Sequence, residues 1–125
     1  MELTPQAGSS PVGGRQLIER YGAGGFRVSG VVFAGPVLVF SERTIIWENP
    51  VPTVDGLAPI IAEGRIELIL LGLGKHGAPA APALRAALKA RGIAVEAMDT
   101  GAACRTYNVL LAEDRRVAAA LLPPI

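Results

Sequence analysis

The first half of the chain carries short apolar bursts cut by glycine and proline, and the second half carries longer, almost purely aliphatic runs. The two halves therefore follow different structural grammars. In the first, Gln16–Tyr21 reads as a short strand, and Gly22, Gly24 and Gly25 supply a turn that tolerates positive φ. Phe26–Val28 and Val31–Phe33 follow, with Gly30 between them expected as a bulge or kink. Gly35-Pro36 turns the chain again, ahead of Val37–Phe40 and Thr44–Trp47. Spacings this short permit only antiparallel neighbours, because parallel strands need a crossover of about a dozen residues or more.

Asn49–Thr53 is a loop, with Pro50 and Pro52 blocking regular structure. The spacing of Leu57, Ile60 and Ile61 predicts a helix over Val54–Ala62, capped by Thr53 and with Asp55 at the positive end of its dipole. Gly56 and Pro59 work against it. Beyond that point Ile66–Leu71 is aliphatic enough for a strand buried on both faces, and Gly72-Leu73-Gly74 ends it. A helix over Pro82–Arg91 opens on a proline suited to its first position and closes before Gly92. Ile93–Met98 is the next strand, Ala102–Ala112 the next helix and Val117–Leu122 the last strand. Strand, helix, strand, helix, strand implies right-handed crossovers and a parallel core. The expected class is α/β, with an antiparallel N-terminal β part and a C-terminal βαβαβ part.

At 125 residues the chain fits one domain, expected over residues 15–125. Met1–Gly14, rich in Pro, Gly and Ser, is expected to be a flexible tail, without the pattern of a signal or transit peptide. Aromatics make up only 5% against 50% hydrophobic residues, so the core must be aliphatic. Formal net charge is +1 and the charges are scattered, with no basic stripe of the kind that binds nucleic acid. The longest uncharged run, Val28–Ser41, is too short and too broken for a membrane span. The single cysteine, Cys104, permits no intramolecular disulfide and suits a reducing compartment, and the protein is expected to be cytoplasmic and bacterial.

Ligands of open α/β sheets bind beyond the carboxyl ends of the strands. Two segments converge there in this topology. One is Gly72-Leu73-Gly74-Lys75-His76-Gly77, and the other is Asp99, Thr100 and Gly101, with Cys104, Arg105 and Asn108 on the following helix. The glycines lack the spacing of a nucleotide fingerprint and read first as a tight turn. Asp99 reads first as a helix cap shared with Thr100. A Cys104 nucleophile with His76 as base would make a thiol enzyme, but a lone cysteine more often packs as a small apolar residue. Glu67 and Glu96 are a weaker acid–base pair, better placed with their carboxylates in water. One histidine excludes a multi-histidine metal site, and no cofactor is implied. Trp47, flanked by Glu48-Asn49-Pro50, is a candidate partner-binding anchor, with packing over the sheet the alternative.

The run Tyr21-Gly22-Ala23-Gly24-Gly25-Phe26-Arg27-Val28-Ser29-Gly30 resembles the opening of a small family found in bacteria and archaea. The match continues through Leu70–Gly74, Leu84-Arg85 and Arg115–Leu121. It is strongest from Gly92-Ile93 through Met98-Asp99-Thr100-Gly101-Ala102-Ala103-Cys104-Arg105-Thr106-Tyr107-Asn108-Val109-Leu110. The family includes the mitochondrial NADH dehydrogenase (respiratory complex I) assembly factor 3, and most bacterial members are of unknown function. The resemblance implies a three-layer fold with a mixed central sheet, helices and an additional β layer. It also implies a role in complex I biogenesis through protein partners, peripheral to the inner membrane, and it brings no catalytic residues. Two readings follow. One is a non-catalytic interaction or assembly factor. The alternative is a small-molecule-binding protein or enzyme using the cleft at the carboxyl ends of the parallel strands.

Overall fold

The computed structural model describes residues 14–125, so the expected tail lies outside the described residues except for Gly14. Strands β1 (Ile18–Gly22), β2 (Gly25–Val28) and β3 (Val31–Ala34) form an antiparallel sheet in that order. Strands β4 (Val37–Val39), β5 (Thr44–Ile46), β6 (Leu68–Leu73), β7 (Ala94–Met98) and β8 (Val117–Leu122) form a mixed sheet in the order β5-β4-β8-β6-β7. Helices α1 (Ala58–Glu63), α2 (Pro82–Lys89) and α3 (Thr100–Ala112) pack against it. The fold is α/β with a mixed central sheet and a second β layer, and β6, β7 and β8 are parallel as expected.

Alternation along the central strands divides the core in two. Leu70 of β6 and Val117, Ala119 and Leu121 of β8 face α3 and the three-stranded sheet, where Phe26, Phe33, Cys104 and Tyr107 meet them. Ile69, Leu71, Ala118 and Ala120 face the other way, onto Trp47, Leu57, Leu84 and Leu88. Alanine has weak strand preference. The Ala118-Ala119-Ala120 run is nevertheless strand because β8 is central, hydrogen-bonded to β4 on one side and β6 on the other.

Four local expectations change. Ser29 (φ 44) and Gly30 (φ 85) form a two-residue hairpin turn rather than a bulge, since positive φ at both central positions matches the twist of the flanking strands. The irregularity lies instead in β1, between Ile18 and Arg20. Gly35-Pro36 does not join hydrogen-bonded neighbours: β3 and β4 belong to different sheets, and the corner carries the chain from one to the other. The first helix begins late, at Ala58, with Pro59 in its first turn. Thr53 spends its hydroxyl on the Gly56 N–H (3.1 Å), closing a tight turn upstream in place of a cap. Finally, β6 runs through Gly72 to Leu73, because β8 continues alongside it to Leu122.

Candidate functional site

The chain reaches β7 from one side of β6 and β8 from the other, so the switch point of the sheet lies between β6 and β8 at their carboxyl ends. The predicted segments do meet there, and the Thr100 side chain fills the junction. Its hydroxyl accepts from the Gly74 N–H (2.9 Å) and donates to the Leu122 carbonyl (2.6 Å), joining the ends of the two strands. Its own N–H donates to the Gly74 carbonyl (2.9 Å). Thr100 is 0% exposed.

Neighbouring residues complete the closure. A Cβ on Gly72 would stand 2.8 Å from Leu121 Cδ2 and 3.1 Å from Thr100 Cα, so α3 lies directly on the strand there. Gly101 is covered by Tyr21, whose hydroxyl accepts from Arg105 Nη1 at 3.3 Å. The Asp99 carboxylate accepts from the Ala102 N–H (2.9 Å) and caps α3. Asn108, about two turns along α3 from Gly101 and on the same face, pins the second β layer. Its Oδ1 accepts from the Ile18 N–H (3.0 Å) and its Nδ2 donates to the Ile18 carbonyl (2.9 Å). The arrangement therefore uses its polar groups on one another.

Cys104 is 2% exposed, among Ala103, Tyr107 and Leu111. Burial pushes its thiol from the ordinary 9.0 up to about 12, with Arg105 opposing the rise and Asp99 adding to it. A thiol held that high stays protonated at neutral pH and is a poor nucleophile. His76 is exposed in the turn after β6. Glu67 stands at the opposite end of that strand, 3.7 Å from Arg115 Nε and 3.8 Å from Arg116 Nε, while Glu96 is exposed on β7. Among the described residues no group of three or more His, Cys, Asp or Glu could hold a metal ion. Trp47 is not a surface anchor: it is 2% exposed and its indole N–H donates to the Gly56 carbonyl at 2.8 Å. A buried partner for the indole N–H is what lets so large a ring enter the core.

One feature escaped the sequence reading. At the opposite, amino-terminal edge of β6 and β8 lies a groove of about 280 Å³ lined by Arg15, Arg43, Arg65, Arg115 and Arg116, five of the chain's ten arginines. Arg43, Arg65 and Arg116 stand shortly before β5, β6 and β8. Because β5 and β8 are both antiparallel to β4, and β6 is parallel to β8, all three strands start at the same edge. That position, a basic residue shortly before each such strand, was the signal in the sequence.

Residues 18–122 match the family described as protein of unknown function (DUF498/DUF598). The chain belongs to this family. A relative from Rhodobacter capsulatus, named only as an uncharacterized protein, is 41% identical over 118 residues, covering 94% of this chain and 87% of that one. The NADH dehydrogenase (ubiquinone) 1 alpha subcomplex assembly factor 3 of Danio rerio is 36% identical over 112 residues, and that of Homo sapiens 33% over 111. Each alignment covers 86% of this chain but only 64% and 60% of those proteins, so the chain spans less than two thirds of their length. Among solved structures, a Bartonella henselae protein described as an outer membrane protein superposes with a TM-score of 0.80 at 38% identity, covering 90% of this chain and 98% of that one. A Bordetella pertussis protein described as a Mth938-like domain gives 0.76 at 29%, covering 98% and 92%. The residues that carry the resemblance now have physical roles in this chain. Thr100 joins two strands, Tyr107 donates to the Phe40 carbonyl (3.0 Å), and Asn108 holds β1.

Proposed function

We propose that this chain is a non-catalytic, protein-binding assembly factor acting in the biogenesis of the multisubunit NADH dehydrogenase. The observation that carries the reading is the match to complex I assembly factor 3 over 86% of the chain. It extends across both β layers rather than one motif. The local geometry supports it. The switch point where an α/β enzyme would hold its ligand is bridged by Thr100, and the one cysteine is buried with a raised pKa. The Thr100 hydroxyl already partners the backbone groups that end β6 and β8. No described helix is long and apolar enough to cross a membrane. The proposed action is at the membrane surface or ahead of insertion, on subunits not yet assembled.

The test is purification of the tagged protein from its own organism after mild cross-linking, with mass spectrometry of what accompanies it. Subunits of the NADH dehydrogenase should be enriched over a tag-only control, and should remain so with Cys104→Ser. Absence of every such subunit, in a strain that makes the enzyme, would overturn the proposal.

A further inference from the structure

The arginine groove has no part in the bridge at the switch point, and it lies at the other edge of the sheet. Its floor is apolar: Phe40, Leu111 and Val117 are buried beneath it. Five arginines line it against three carboxylates, Glu42, Glu63 and Asp114. Several guanidiniums are oriented rather than loose. Arg15 donates to the Leu111 carbonyl at 2.5 Å, answering the negative carboxyl end of α3, and pairs with Asp114. Arg43 lies 4.4 Å over the Phe40 ring and 3.3 Å from Glu63. Arg115 and Arg116 share the single carboxylate of Glu67. Arg65 makes no ion pair among the described residues.

We propose that this groove is the docking surface for an extended, carboxylate-rich segment of a protein partner. The inference rests on the assembly reading only for the kind of partner; the site itself rests on charge and shape. The existing pairs are exposed, with side-chain exposures of 40% and 36% for Arg43 and Glu63 and 69% and 39% for Arg116 and Glu67. Pairs exposed to that degree contribute little to stability and exchange partners readily. A guanidinium presents a planar fork that matches a carboxylate in two parallel hydrogen bonds. An extended segment turns alternate side chains to opposite sides, so acidic residues at every second position form one row facing the arginines. Arg65 supplies a charge with no ion-pair partner among the described residues, and Arg115 and Arg116 supply the two that share Glu67.

The experiment uses a short fluorescein-labelled peptide of alternating Glu and Thr, with a Gln-and-Thr peptide as control, read by fluorescence anisotropy. The acidic peptide should bind the wild-type protein, weaken as salt is raised, and lose about tenfold or more in affinity with Arg65→Glu. Arg20→Glu, which reverses a charge on the antiparallel layer, should leave the affinity within about twofold. Equal loss with Arg20→Glu, equal binding of the Gln-and-Thr peptide, or no binding of either overturns the proposal. So does saturable binding of pyrophosphate or of phosphatidylglycerol vesicles with no binding of the peptide. Complementation separates this site from the assembly reading. If deletion of the gene lowers the assembled enzyme and Arg65→Glu restores it fully, the groove is wrong and the function stands. If the peptide binds as expected but deletion has no effect, the groove stands and the function is wrong.

Discussion

Replacing Thr100 with Val removes one hydroxyl and leaves the side-chain volume almost unchanged. In the wild type that hydroxyl satisfies the Gly74 N–H at 2.9 Å and the Leu122 carbonyl at 2.6 Å, and the residue is 0% exposed. The variant leaves a donor and an acceptor without a partner at the ends of two central strands. Each unsatisfied buried group costs about 1–3 kcal/mol. Gly74 is half-buried, so water can recover part of its loss, and the expected total is about 2–4 kcal/mol. That is a large share of a typical stability of about 5–15 kcal/mol. Thr100→Ser keeps the hydroxyl and removes only a methyl group, at a cost of about 1 kcal/mol. Equilibrium unfolding in urea measures both, as a shift in midpoint at unchanged slope. If Thr100→Val costs no more than Thr100→Ser, the hydroxyl does not join the strands and the closed switch point fails as an explanation.

Other expectations follow from the same contacts. Native Cys104 should react slowly with a thiol reagent at neutral pH and rapidly once the protein is unfolded; rapid native labelling would contradict its burial. Its thiol pKa is raised from 9.0 to about 12 on folding, so above pH 9 the unfolded chain gives up a proton that the folded chain retains. Stability should be unaffected by this group below pH 9 and fall as pH rises from there toward 12, and Cys104→Ala should show a shallower fall in an alkaline unfolding series. Asn108→Ala removes both bonds to Ile18 and should cost about 1–3 kcal/mol, with amide exchange accelerated in β1 before β6. Tyr107→Phe leaves the Phe40 carbonyl without its donor and should cost about 1–3 kcal/mol by the same measurement.

The second half of the molecule was legible because each signal is local. Continuous aliphatic runs mark strands buried on both faces, and Pro82, Gly92 and Asp99 mark helix ends within their own turns. The first half was legible as strands but not as sheets. Gly35-Pro36 announces a turn, yet whether the flanking strands pair depends on β8, whose partner positions Ala119–Leu121 lie far along the chain. Trp47 misled because its polar neighbours suggested exposure, while the partner that permits its burial, the Gly56 carbonyl, belongs to a turn created by Thr53. At the switch point the residues were found but their relation was not. Asp99 and Thr100 read as a shared cap; in the structure Asp99 caps and Thr100 bridges two strands, a role that requires Leu122 alongside. The arginine groove stayed hidden because its members are scattered in sequence and gather only when strand direction is known.

The central claim is that this chain assists assembly through binding and not through turnover. Its most direct test is the amount of assembled, membrane-bound NADH dehydrogenase in a strain lacking the gene, in an organism that makes the multisubunit enzyme, resolved on native gels and compared with succinate dehydrogenase. The account predicts a selective loss of the assembled NADH dehydrogenase, restored by the wild-type gene and equally by a variant carrying Cys104→Ser and His76→Ala. Normal levels in the deletion strain would contradict the assembly role, and failure of the folded double variant to restore them would contradict its non-catalytic character.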